Sequence, residues 1–177
     1  MKILFTIVYF WAATGIATAQ TYHLRDDSST VQFSIKNFGL TVTGSFKGLE
    51  GKIIFNPADA ATASFESSVT AASVNTGNNT RDNHLKKEDY FDIQNYPRLT
   101  FVSSKVSGNG QNYIMEGKLT IKGITKSISF PFTVTATTTG LRFTGQFRIN
   151  RRDFKVGGGS LILSDELTVT LNVLAVK

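Results

Sequence analysis

The sequence predicts an all-β fold: an antiparallel sheet of about eight or nine strands, closed into a barrel or folded into a sandwich. Three observations predict it. Apolar and polar residues alternate through most of the chain after residue 20, the period of a strand with one buried face. Thr and Ser are abundant there and Ala is scarce, a composition that favours strands over helices. Turn signals separate the alternating runs at Asn56-Pro57, Gly108-Asn109-Gly110, Lys122-Gly123, Thr139-Gly140 and Gly157-Gly158-Gly159, so consecutive strands connect as hairpins.

In chain order, the first segment stands apart from that pattern. Lys2 supplies a positive charge, Ile3 to Ala13 is an almost unbroken apolar run, and Ala17-Thr18-Ala19 places small residues where a signal peptidase reads. This is the grammar of a Sec signal peptide over residues 1–19, cut after Ala19. The run is too short to span a bilayer comfortably. The expectation is a periplasmic or secreted protein whose single domain is residues 20–177. Removing Lys2 with the leader lowers the net charge from +6 to +5. Trp11, the only tryptophan, leaves too, and twelve of the 14 phenylalanines stay.

The strands then follow one another. Val31, Phe33 and Ile35 share a face, as do Val42, Gly44 and Phe46. Ile53 and Phe55 continue beyond Gly48 and Gly51, which mark a bulge or bend. Phe65 and Val69, then Leu99 and Phe101, then Tyr113, Met115, Gly117, Leu119 and Ile121 form the next faces. Ile128, Phe130, Phe132 and Val134 precede Leu141, Phe143, Gly145, Phe147 and Ile149. Leu167, Val169, Leu171, Val173 and Ala175 close the chain. Between them, residues 78–92 are polar and carry caps. Asn79 or Thr80 can open a short helix with Asp82 in its first turn and Lys86 and Lys87 in its last. Leu85 and Phe91 would anchor that helix across one end of the sheet.

Almost every apolar face carries a Phe, and Gly44, Gly117 and Gly145 lie on such faces. Inward glycines leave room in an eight-stranded barrel, and phenylalanines coat that room. The other reading is that the glycines bend strands and the phenylalanines fill an ordinary core.

Composition excludes several functions. The chain has 177 residues, 41% of them hydrophobic and 18% charged, and no cysteine, which rules out disorder, a disulfide scaffold and a thiol nucleophile. His23 and His84 are the only histidines, so no metal-ligand spacing exists and no metal is expected. There is no Gly-x-Ser-x-Gly elbow and no standout carboxylate pair, and Gly157-Gly158-Gly159 lacks the Lys-Ser/Thr of a P-loop. No catalytic residue and no cofactor are expected. Lys and Arg are dispersed rather than clustered, which argues against nucleic acid and fits transient attraction to an anionic membrane surface.

The motifs carry a resemblance. Ser73-Val74-Asn75-Thr76-Gly77, Arg81-Asp82-Asn83-His84-Leu85, Tyr90-Phe91-Asp92 and Tyr96-Pro97 resemble the central signature of the YceI-like family. So do Ser29 to Lys36 (its second strand), Gly44-Ser45-Phe46 through Gly51-Lys52-Ile53, Gly117 to Lys126, and Asn150-Arg151-Arg152-Asp153-Phe154. The resemblance covers nearly all of residues 21–177. It departs from the family at Asn37, where many members carry His.

The resemblance implies an extended lipocalin-like antiparallel barrel, exported to the periplasm, that binds a long polyisoprenoid lipid in an apolar tunnel. Such a ligand needs a long dry slot, where each 100 Å² of buried apolar surface contributes about 2.5 kcal/mol. The candidate lining is Phe33, Ile35, Phe46, Phe55, Phe65, Leu85, Phe91, Phe101, Met115, Leu119, Phe130, Phe132, Phe143, Phe147 and Phe154. Arg81, Asp82, His84, Arg151 and Asp153 are candidates for a head-group or rim site, with salt bridges that hold the rim as the alternative role. The leading expectation is a non-enzymatic carrier that sequesters or transports a prenyl quinone or polyprenyl-type lipid. Two alternatives stand beside it. One is an enzyme of lipid or quinone metabolism using His84 with Asp82. The other is a structural or stress-related envelope barrel with a filled core and a protein partner. The sequence leaves the oligomeric state open, a homodimer included.

Overall fold

The computed structural model describes residues 20–177; the leader expected at residues 1–19 lies outside them. Eight strands form a closed barrel in which each pairs antiparallel with the next and β8 returns to β1. They are β1 (Gln20–Asn37), β2 (Leu40–Phe55), β3 (Ser64–Asn75), β4 (Arg98–Asn109), β5 (Asn112–Ile121), β6 (Ile124–Ala136), β7 (Gly140–Asn150) and β8 (Leu163–Val176). A helix, α1 (Asn79–Leu85), joins β3 to β4, and a short 3-10 turn at Arg151–Phe154 begins the connection from β7 to β8. Closure removes the unpaired edges that a sandwich would leave.

The family's "second strand" motif is therefore part of the first strand, which begins at Gln20 and has a break in register between Arg25 and Thr30. Side chains repair the ladder there. The Leu174 N–H donates to Ser29 Oγ at 3.0 Å and the Leu49 N–H donates to an Asp26 carboxylate oxygen at 2.9 Å. Gly48 and Gly51 do mark a bulge: the β2–β3 register shifts between Lys47 and Glu50. The Lys47 N–H, freed from the ladder, donates to Ser73 Oγ at 2.8 Å. Arg98 ties the same bend down, donating to the Gly48 carbonyl at 2.8 Å and pairing with Glu50 at 3.2 Å.

The helix starts one or two residues earlier than a cap at Asn79 or Thr80 would place it, and it ends at Leu85, so Lys86 is its C-cap and Lys87 lies beyond it. Asn78 is the cap, and its side-chain oxygen accepts from the Arg81 N–H at 3.0 Å. All connections fall at one of two barrel ends. Gln20, the C-terminus and the β2–β3, β4–β5 and β6–β7 turns lie at one end. The β1–β2 turn, α1, the β5–β6 turn and the 151–162 connection lie at the other.

Candidate functional site

The two ends are filled differently. At the end with Gln20 and the C-terminus, aromatic rings interlock across the lumen. Phe55 meets Tyr113, Phe143 and Phe65 edge-on at 5.3, 5.6 and 6.2 Å between ring centroids. Phe65 meets Phe132 and Phe143 at 5.7 and 5.3 Å. Such tilted and edge contacts are the favoured aromatic geometry. Phe55 and Tyr113 are essentially inaccessible, and the Tyr113 hydroxyl donates to the Gly110 carbonyl at 3.0 Å. This half is a solid plug.

Above the plug the lumen is open. A cavity of about 630 Å³ runs from Phe65, Phe132 and Phe143 up to the α1 end, within the size range of small-molecule sites. On β8 its lining extends from Leu163 to Val173, a strand length of roughly 33 Å, or about 25 Å along the axis of a tilted barrel. The space is therefore elongated, and its walls are overwhelmingly apolar.

Fourteen of the fifteen side chains expected to line a tunnel touch this cavity: Phe33, Ile35, Phe46, Phe65, Leu85, Phe91, Phe101, Met115, Leu119, Phe130, Phe132, Phe143, Phe147 and Phe154. Phe55 does not, because the rings of Phe65 and Phe143 stand between it and the open half. The expectation underrated the aliphatic wall. Val31, Val42, Leu99, Ile149, Leu167, Val169 and Leu171 also face the space. Their signal was present as alternation on β1, β2, β7 and β8, but alternation looks the same for lining and for core.

The inward glycines work differently from simple vacancies. Phe33 lies opposite Gly44 in the β1–β2 register, and its ring edge occupies the position a Cβ on Gly44 would take. The Phe101 ring does the same at Gly117, and Phe130 comes within 3.2 Å of that position at Gly145. The glycines let large rings lie against the wall instead of projecting into the lumen. Phe130 in turn stacks on Phe147 at 4.6 Å and 26°.

Polar groups gather at the α1 end. The Asp82 carboxylate accepts from the Thr76 N–H at 2.9 Å and from the Thr76 hydroxyl at 2.5 Å. Arg81 Nε donates to Thr76 Oγ1 at 2.7 Å and Nη2 donates to the Thr76 carbonyl at 3.0 Å. Asp82 is buried and does not line the cavity; Arg81, Thr76 and His84 do. His84 packs edge-on against Tyr90 at 4.9 Å. The His84–Asp82 pair invoked for an enzyme is not made: the carboxylate is used by Thr76, and the imidazole packs on a phenol.

Arg151 is a strut. It is 3% exposed, and it donates to the carbonyls of Ser164, Val156, Gly158 and Leu163 and to the Asp165 carboxylate. Its ion pair, at 2.7 Å, is with Asp165 and not with its sequence neighbour Asp153, which is exposed and away from the cavity. One side chain thus holds residues 156–165 in place as one wall of the opening. Among the described residues no group of three or more His, Asp or Glu could hold a metal ion.

With this geometry in view, comparison with known proteins is decisive on ancestry. The YceI-like domain matches residues 22–175. This chain belongs to the YceI-like family. A UPF0312 protein of Yersinia enterocolitica is 26% identical over 175 residues, covering 95% of this chain and 91% of that one. One from Photorhabdus laumondii is 29% identical over 118 residues, but the match spans only 62% of its length. Among solved structures, Burkholderia cenocepacia BcnA superposes with a TM-score of 0.82 at 30% identity, covering 87% of this chain and 99% of that one. A polyisoprenoid-binding domain from Saccharophagus degradans, implicated in plant cell wall breakdown, has a TM-score of 0.72 at 18% identity. It covers 88% of this chain and 97% of that domain, and at that identity it attests the shared barrel.

Proposed function

We propose that this YceI-like protein is an exported, non-catalytic carrier that holds a polyisoprenoid, or another long apolar lipid, inside its barrel. The observation that carries the reading is the half-plugged lumen: an elongated apolar cavity closed by rings at one end and open at the other. A slender hydrocarbon chain is the ligand such a space can desolvate, at about 25 cal/mol per Å² buried. A compact polar substrate would find few partners in it. The tail lies among Phe33, Phe101, Phe130 and Phe147, and the head group sits near Arg81. That guanidinium spends Nε and Nη2 on Thr76 and forms no ion pair among the described residues. The leader at residues 1–19 delivers the carrier to the periplasm or beyond.

Extraction of the purified protein with organic solvent, followed by mass spectrometry, tests this directly. The expected result is a lipid with an isoprenoid tail in near-stoichiometric amount, or saturable uptake of an added prenylquinone. No lipid and no uptake would defeat the reading. Residues 20–177 lack tryptophan, so uptake is followed by Tyr fluorescence or with an added probe. Recovery of a mature chain beginning at Gln20 from an envelope or culture fraction tests export.

A further inference from the structure

Four large apolar side chains stand in solvent at the rim of the cavity. Leu161 is 106% exposed, Leu40 73%, Phe38 71% and Ile162 45%. Phe38 and Leu40 belong to the β1–β2 turn and the start of β2, Leu161 and Ile162 to the 151–162 connection, and the Phe38 N–H donates to the Ile162 carbonyl at 2.9 Å, which sets the two segments side by side. The cavity lining continues through Phe38 and Ile162 onto this rim. Isolated exposed hydrophobes such as Val102 and Ile114 on the outer wall are ordinary. A contiguous patch at a cavity mouth marks an interaction surface.

Phe38 is costly in a second way. It fills, with Gly39, a two-residue hairpin turn whose residues have φ of +50° and +76°. Asn, Asp and Gly suit the first of those positions, and a bulky side chain there is an outlier. A strained backbone that displays an aromatic ring to solvent points to function more than to folding. The two rim segments themselves, residues 36–41 and 154–164, carry Lys36 and Lys155 and no carboxylate, while Glu88, Asp89 and Asp92 belong to the α1–β4 connection at the same end. Asp165 itself is engaged by Arg151 and Arg152 at 2.7 and 3.9 Å.

We propose that this rim is a bilayer-docking surface: Phe38, Leu40, Leu161 and Ile162 dip into the interface of a membrane rich in anionic phospholipid, with the cavity mouth facing the lipid. An apolar tip with flanking cations is the arrangement that binds such interfaces. The inference deepens the carrier reading, on which it rests for its cargo: a lipid passes between bilayer and barrel without crossing water.

Flotation with vesicles of phosphatidylcholine, with and without phosphatidylglycerol, tests it, using residues 20–177 and the variant Leu40→Ser/Leu161→Ser, two exposed rim residues outside the cavity lining. Circular dichroism and thermal melting check the fold of both, and prenylquinone uptake checks the cavity. The expected result is that the parent protein floats with the anionic vesicles, less so in high salt, and that the double variant loses at least tenfold of that association while its uptake is unchanged. A parent that floats with neither vesicle would overturn the proposal, as would a folded variant that floats equally well. So would a parent dimer that the variant dissolves, seen by sedimentation, without vesicle binding. Solvent extraction keeps the two proposals apart: vesicle binding without any extractable lipid or uptake sinks the carrier reading and leaves the docking surface standing.

Discussion

The plugged and open halves of this barrel are made from the same strands, the same alternation and the same residue type, yet one is core and the other a container. In the plugged half, Phe55, Phe65, Phe132, Phe143 and Tyr113 reach across the lumen and touch one another. In the open half, Phe33 and Phe101 lie back over Gly44 and Gly117. A ring that finds a partner across the lumen fills space, and a ring that finds a glycine on the wall leaves it. Stability and binding are thereby separated along the axis of one sheet, and each half can be broken on its own.

The sharpest test is a matched pair. Phe55→Ala removes a fully buried ring with three aromatic partners and should cost about 3–5 kcal/mol in chemical denaturation. Phe147→Ala removes a half-buried ring that faces the cavity. It should cost well under half as much and weaken prenylquinone uptake instead. Equal stability losses from the two would erase the distinction between the halves. Arg151→Met comes next, at about 3 kcal/mol, because it strands several backbone carbonyls and a half-buried carboxylate. Proteolysis should then cut first within residues 155–162.

Gly44→Ala sharpens the wall argument. The new methyl displaces the Phe33 ring into the lumen, so stability should fall by about 1–3 kcal/mol and lipid uptake by roughly tenfold, equivalent to about 1.4 kcal/mol. A variant with normal uptake would show that Phe33 has another place to go. The smallest effect belongs to the plugged end. Burial holds the Tyr22 phenol above its ordinary pKa of 10.0. A raised folded pKa contributes stability below pH 10 that is lost as pH rises through the folded value. Tyr22→Phe should therefore flatten the alkaline limb of a melting-temperature profile by a small amount and leave neutral pH nearly unchanged.

Much of the site was legible in the sequence. Period-two alternation placed Phe33, Phe101, Phe130 and Phe147 on inward faces, and all four line the cavity. The helix over the barrel end was readable from its polar run and from Leu85 and Phe91 as anchors, which pack against the same cluster, although its cap is Asn78 and not Asn79 or Thr80. Other features were not legible. Phe55 follows the same alternation as Phe46, but its position in the register puts it below the floor. Arg151 and Asp165 are fourteen residues apart and pair only because the chain turns back at β8. The Phe38-Gly39 turn carries no such signal, because Phe is the wrong residue for its first position.

The sequence by itself determined an antiparallel all-β domain, the face each side chain takes on its strand, the short capped helix and membership of the YceI-like family. Those follow from local periods and short motifs, which act within a few residues. Only the tertiary structure decided that the lumen is half filled, that the glycines are seats for rings, and that Phe38 and Leu161 meet at one rim. Each depends on barrel closure and strand stagger, which set what stands across the lumen from a given side chain, and no local pattern encodes that distance.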